Sequence, residues 1–158
     1  MKTLIAYASR YGCTEKCSKK LAELVSGDVE IVNLKVNPGI DIEGYDTIII
    51  GGSIAIGKIN SEVKKFCSAN LSSLLQKRIG LFICAGAADK AEEELKNNFP
   101  KELVSRAAAT GYFGYAVNLE KLNFALRAIM RKMSKTDKSF SKISEDNISK
   151  FASEISSR

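Results

Sequence analysis

The sequence predicts an α/β fold: a doubly wound, five-stranded parallel sheet in the order 2-1-3-4-5 with helices on both faces. Two observations carry that prediction. Short apolar runs alternate along the chain with longer stretches of helical period. Three of the runs, Thr3–Ala8, Thr47–Ile50 and Ile79–Ala85, are apolar almost throughout, as strands covered on both faces must be. Val29–Leu34 and a weaker run at Ala107–Phe113 supply the other two strands. Helices are expected at about 14–25, 61–75, 90–98, 119–135 and 144–156. In the first of these, Cys17, Leu21, Leu24 and Val25 share a face. Asn37-Pro38-Gly39 and the Ser/Lys-rich stretch Ser134–Ser144 read as loops.

At 158 residues, 45% apolar and 27% charged, the chain is expected to form a single domain over residues 1–158 with a core that needs no staple. There is no histidine. Ser-His-Asp hydrolysis, Cys-His proteolysis and imidazole-ligated zinc are thereby excluded. Cys13, Cys17, Cys67 and Cys84 form no C-x-x-C pair, so neither a zinc ribbon nor a thioredoxin-type site is expected, and free thiols suit a reducing cytoplasm. The first apolar run, Leu4–Ala8, is too short for a membrane span or a signal-peptide core. A soluble, cytoplasmic protein is the expectation.

In doubly wound sheets ligands sit beyond the carboxyl ends of the strands, where strand order reverses. Three loops lie there: Ser9–Thr14, Ser53–Ile59 and Gly86–Lys90. The first, S-R-Y-G-C-T, offers hydroxyls at Ser9 and Thr14, a glycine for close backbone approach, and free amides at a helix start. These make a monoanion cradle, or equally an ordinary helix cap. It is neither a Walker loop nor G-x-G-x-x-G. Gly51-Gly52-Ser53 ends the third strand with no Asp, which excludes a phospho-accepting receiver. No C-x5-R follows any cysteine, which excludes a phosphatase loop, and Cys84 reads as a small buried residue.

The S-x-x-G-x-T loop, the I-I-I-G-G-S strand end and the Gly57 that follows it resemble the flavodoxin family over nearly the whole chain. The resemblance implies that Ser9, Arg10, Tyr11, Gly12, Cys13 and Thr14 cradle the phosphate of FMN. It implies that Ser53, Ile54, Ala55, Ile56, Gly57 and Lys58 flank the flavin ring on one side. Cys84, Ala85, Gly86, Ala87, Ala88 and Asp89 flank it on the other. No catalytic or metal-binding residue is expected. The I-G-G-S-I-A-I-G-K-I and L-R-A-I-M-R-K-M-S-K stretches resemble the branch of menaquinone-dependent protoporphyrinogen dehydrogenases. The family implies an FMN-dependent electron carrier or small flavin oxidoreductase, with a quinone-dependent protoporphyrinogen dehydrogenase as the alternative. Loops offering only Ile54, Ile56, Ala87 and Ala88 around the ring keep a flavin-free binding module open. Tyr112, Phe113 and Tyr115 are the nearest aromatics.

The formal net charge is +6, from 24 basic and 18 acidic residues. From Lys121 to Lys142 stand Lys121, Arg127, Arg131, Lys132, Lys135, Lys138 and Lys142 against Asp137 alone. On a helical wheel Leu122, Leu126, Ile129, Met130 and Met133 oppose Lys121, Arg127, Arg131 and Lys135, with Phe124 among the cations. The basic arc is either a solvated face or a docking face for an anionic lipid surface at the inner membrane. The partner expected is a redox protein or a quinone. No nucleic-acid motif accompanies the patch.

Overall fold

Each apolar run becomes a strand, and each described segment of helical period becomes a helix. The computed structural model describes residues 1–117, 128 and 140–157. In chain order these form β1 (Lys2–Tyr7), α1 (Cys13–Leu24), β2 (Asp28–Asn33), β3 (Thr47–Ala55), β4 (Lys58–Ile59), α2 (Ser61–Leu74) and β5 (Arg78–Cys84). There follow a 3₁₀ turn (Ala88–Lys90), α3 (Ala91–Asn98), α4 (Lys101–Arg106), β6 (Ala109–Tyr112), β7 (Gly114–Val117), β8 (Phe140–Ile143) and α5 (Glu145–Ser156). The expected helix at 119–135, and with it most of the basic segment, lies outside the described residues.

The main sheet runs β2-β1-β3-β5-β6, with every neighbouring pair parallel. This is the 2-1-3-4-5 order of a doubly wound fold. Period-two alternation divides the strands between two cores. Leu4, Ala6, Ile48, Ile50, Leu81 and Ile83 face Val63, Phe66, Leu95 and Leu103 of α2, α3 and α4. Ile5, Ile49, Phe82 and Cys84 face Cys17 and Leu21 of α1 and Ile148, Phe151 and Ile155 of α5. In the second core Phe82 stacks on Phe113 at 4.4 Å between ring centroids, and Phe151 meets both rings edge-on. Phe113, one of the aromatics near the expected ring site, is fully buried there.

Three elements depart from the sequence expectation. The third strand does not end at Gly51-Gly52-Ser53 but runs on to Ala55 and folds back as β4, so the expected loop Ser53–Ile59 is a β-hairpin. The glycines serve close packing inside the strand. A Cβ on Gly51 would lie 2.0 Å from the Phe82 ring, and one on Gly52 2.6 Å from the Ile59 side chain. Secondly, Lys101–Arg106 forms α4, a helix of six residues too brief to leave a clear period in the sequence. Thirdly, Phe140–Ile143, inside a stretch read as loop, pairs antiparallel with Gly114–Val117. That pairing joins segments far apart in sequence, and no local signal encodes it. The helix expected from residue 144 does form, with Ser144 Oγ accepting from the Asn147 amide at 3.2 Å.

Gly51→Ala tests the packing of the central strand. Overpacking a filled core costs about 1–3 kcal/mol. The variant is expected to lower the urea midpoint by that much at unchanged m-value; an unmoved midpoint would mean that Phe82 can leave its place freely.

Candidate functional site

The carboxyl ends of β1, β3 and β5, adjacent in the sheet, release three segments at one edge. The first is Ser9–Thr14. Gly12 caps α1 in the left-handed region at φ 92°, where a side chain would be strained. Its amide donates to Ser9 Oγ at 2.9 Å, so the Ser9 hydroxyl holds the loop's shape. With glycine at the cap, no side chain caps α1. Helix geometry leaves its first amides without internal partners, and the first bond back into the turn is that from Lys16 to the Gly12 carbonyl. Thr14, in that turn, is fully buried, and its Oγ1 has no hydrogen-bond partner among the described residues. A buried hydroxyl left unpaired costs roughly 1–3 kcal/mol. The chemistry of this turn, free amides, the positive end of the helix dipole and one unused hydroxyl, is that of an anion site. Arg10 is exposed and Tyr11 half-buried at its rim.

The second segment is the hairpin turn. Ala55 pairs with Lys58, leaving Ile56 and Gly57 as a two-residue loop with φ of 52° and 73°. Two-residue hairpins favour positive φ because it matches strand twist, and Asn-Gly is the usual solution. A β-branched residue there is a backbone outlier. The Ile56 side chain is also fully exposed, so no side-chain packing among the described residues offsets that conformation. Two asparagines brace the hairpin from below. Asn98 Oδ1 accepts from the Ile59 amide at 3.0 Å while its Nδ2 donates to the Gly57 carbonyl at 3.1 Å. Asn60 Oδ1 accepts from the Ser53 amide at 2.8 Å and from its hydroxyl at 3.3 Å, which commits Ser53 to the scaffold. Ile54 and Ala55 are half-buried, while Gly57 and Lys58 are exposed. Arg10 Nη2 donates to the Lys58 carbonyl at 3.4 Å, tying the hairpin to the first loop.

The third segment follows β5. Ala85 is committed on both sides: its amide donates to the Gly114 carbonyl at 3.0 Å, and its carbonyl accepts from the Tyr112 hydroxyl at 2.6 Å. Gly86 is exposed, with nothing within 4 Å of where a Cβ would stand. Ala87 is half-buried, and Ala88 and Asp89 are exposed. The backbone at 86–89 is therefore open to a flat ligand, whereas Cys84 and Ala85 lie beneath it.

Beneath the first and third segments the sulfurs of Cys13, Cys17 and Cys84 lie within 4.8 Å of one another, all buried. Hydrogen bonds from the Cys17 and Cys84 thiols, then one from the Ala116 backbone, hold the Cys13 thiol well below the usual thiol range, against the opposing effect of burial. The bonds to Cys13 push the Cys17 and Cys84 thiols up. Cys13 and Cys84 thus reach a ligand above them through backbone atoms only.

All three expected segments are brought together. Asn60, Asn98 and the Tyr112 hydroxyl escaped the sequence reading, and only Asn60, immediately before a helix, carried a recognisable signal.

Residues 4–144 match a family model described as a flavodoxin domain. The flavodoxin-like domain-containing protein BilS of Clostridioides difficile (strain CD3) is 29% identical over 110 residues, covering 65% of this chain and 60% of that protein. A flavodoxin from the domain Archaea superposes with a TM-score of 0.62 at 11% identity, covering 99% of this chain and 94% of that one. Oxidised flavodoxin 1 of Bacillus cereus gives 0.58 at 19% identity, with 98% and 97% covered. Rubredoxin oxygen:oxidoreductase of Desulfovibrio gigas gives 0.57 at 17%, this chain spanning 99% of itself but 37% of that larger protein.

The strained hairpin tip yields a stability prediction. Left-handed backbone costs a side chain with a Cβ roughly 1–2 kcal/mol, and asparagine tolerates it best. Ile56→Asn is expected to raise the urea midpoint, by roughly 0.5–1 kcal/mol at constant m-value; a lowered midpoint would show that Ile56 is not under strain.

Proposed function

The chain belongs to the flavodoxin domain family, and from that premise we propose that it binds FMN at the three gathered segments and acts as an electron carrier or small flavin oxidoreductase. The observation that carries the proposal is the buried, unpartnered Thr14 hydroxyl in the first turn of α1, whose amides stand free. A phosphate there satisfies that hydroxyl and the helix dipole together. Gly12 leaves the approach clear of a side chain, and the backbone of Arg10, Tyr11 and Cys13 completes the cradle. Ile56 and Gly57 at the hairpin tip, with Ile54, Ala55 and Lys58 behind them, flank the ring on one side. Gly86, Ala87 and Asp89 flank it on the other, over Cys84 and Ala85. Ser53 acts by holding the hairpin through Asn60.

The bound flavin supplies the electron chemistry, while the chain binds and orients it. The three segments offer one carboxylate, Asp89, and no imidazole, so proton transfer by side chains has little to work with. Exchange of electrons with a partner protein fits that inventory best, and the exposed Ile56 gives such a partner an apolar contact beside the ring. The quinone-dependent protoporphyrinogen reading draws on the I-G-G-S-I-A-I-G-K-I stretch and on the L-R-A-I-M-R-K-M-S-K stretch, of which only Ala128 lies among the described residues. Oxidation of protoporphyrinogen with a quinone acceptor is the assay that separates it from an electron carrier. A flavin-free binding module predicts colourless protein that refuses added FMN.

Thr14→Ala removes one donor to a charged acceptor, worth about 1.5–3 kcal/mol. FMN affinity, followed by flavin fluorescence quenching, is expected to fall at least about tenfold. Riboflavin affinity should hardly change, and Thr14→Ser should restore FMN binding. Equal losses for the two flavins would place the phosphate elsewhere.

For location we propose a cytoplasmic protein that attaches reversibly to the anionic inner membrane face through residues 121–142. No helix among the described residues is long and apolar enough to cross a membrane. Each basic side chain near such a surface contributes about 1 kcal/mol, weakened by salt over ~8 Å. The protein is expected to sediment with acidic-lipid vesicles at low salt and not with neutral ones. Changing Lys121, Arg127, Arg131 and Lys135 to Gln should abolish this without altering the flavin spectrum. Failure to sediment at low salt would retire the membrane and leave an acidic partner protein for the segment.

A further inference from the structure

Three of the four cysteines converge on one point, and neither the fold nor the anion loop requires them there. Cys13 is the first residue of α1, and Cys17 follows one helical turn later on the same face. Cys84 is the last residue of β5. Their three sulfurs lie within 4.8 Å of one another, and Cys17 and Cys84 approach to 3.7 Å. Exposure is 5% at Cys13 and 0% at the other two, and all are free thiols. The surrounding core is Ile5, Leu21, Ile49, Phe82 and Phe113, which any small apolar residue could have completed. Cys67 stands apart, in the core on the opposite face of the sheet.

We propose that Cys13, Cys17 and Cys84 form a three-thiolate site for a monovalent copper ion. Sulfur bonds to a d¹⁰ metal measure about 2.3 Å, and three sulfurs arranged trigonally at that distance stand about 4 Å apart by the same geometry. The observed triangle is therefore close to ligating size and closes by small side-chain movements. Hard cations need oxygen ligands, which the cluster does not contain. A structural zinc needs a fourth protein ligand. The chain has no histidine, and no carboxylate joins the sulfurs among the described residues. An iron–sulfur cluster needs four cysteines, and the fourth lies across the sheet. Thiolate ligands without imidazole or oxygen select copper(I), which is content with three.

The environment tolerates the charge that such ligation brings. Cys13 is the first residue of α1, where the positive end of the helix dipole favours a thiolate. Each thiol that ligates as thiolate gives its proton to solvent, and the copper remains Cu(I) throughout, so no oxidant or reductant takes part. The site stands on the sulfur geometry alone and is independent of the flavin reading. It goes beyond the expectation that the chain has no metal-binding residue, and is compatible with the absence of a C-x-x-C zinc ribbon. Two of the ligands come from a helical i,i+4 spacing, and the third is contributed by a strand 67 residues away from Cys17.

The test is an anaerobic titration of the reduced, full-length protein with Cu(I), supplied as its acetonitrile complex, in competition with a chromophoric Cu(I) chelator. Four free thiols should be counted in denatured protein before loading. One Cu(I) per chain is expected to be retained, with X-ray absorption giving three sulfurs at about 2.3 Å. Cys13→Ser, Cys17→Ser and Cys84→Ser should each weaken binding by at least about 100-fold, while Cys67→Ser leaves it unchanged. Should a serine variant fail to fold, the melting temperature of the unmodified protein serves instead, since one equivalent of Cu(I) that binds only the folded state must raise it. Copper lost entirely to the chelator, two sulfurs rather than three, or an equal loss in Cys67→Ser would each overturn the assignment. A melting temperature unmoved by Cu(I) would do the same.

Discussion

Parallel pairing of β1, β3 and β5 is the constraint from which the rest follows. Parallel neighbours cannot be joined by a tight turn, so each strand is followed by a crossover that returns over one face of the sheet. The faces are thereby both covered, and the central strands must be apolar on both sides, as Leu4–Ala8, Ile48–Ile50 and Leu81–Cys84 are. The same geometry sends the carboxyl ends of all three strands to one edge. A helix start, a hairpin and an open glycine-containing loop meet there as a consequence of topology.

Within that edge the polypeptide spends stability locally. Thr14 keeps a buried hydroxyl unpaired, and Ile56 holds a left-handed backbone with its side chain in solvent. Both features are costly in isolation. They persist because their surroundings are over-determined. Ser9 fixes the Gly12 amide, Asn98 holds the hairpin turn at Gly57 and β4 at Ile59, and Asn60 ties the end of β3 to the start of α2. Departures from local rules, held in place by ordinary hydrogen bonds, are what a binding edge built on a rigid scaffold looks like.

The start of α1 presents two different surfaces. Its first turn opens onto the loop edge, and the side chains of Cys13 and Cys17 turn into the core towards Cys84. The two proposals therefore rest on opposite sides of one short segment. The helix dipole favours negative charge at both, on a phosphate and on a thiolate alike.

Much of this was legible without coordinates. Continuous apolar runs separated by helical periods point to the five parallel strands of the main sheet, because burial on two faces leaves no room for polar alternation. The loop Ser9–Thr14 reads as an anion cradle or a helix cap; in the structure Gly12 holds the cap position, the Ser9 hydroxyl accepts from its amide, and Thr14 Oγ1 has no partner among the described residues. Other features depended on contacts between distant residues. Phe82 and Ile59 fill the space of two absent Cβ atoms at Gly51 and Gly52, and β8 pairs with Gly114–Val117, more than twenty residues away in sequence. The sulfur triangle needs Cys84 carried to α1 by the sheet. The sequence by itself determined the five strands of the parallel sheet and which edge gathers their loops, since those follow from hydrophobic period. The tertiary structure alone decided which polar atoms stay unpaired and which sulfurs meet, since those depend on packing between elements that no local pattern records.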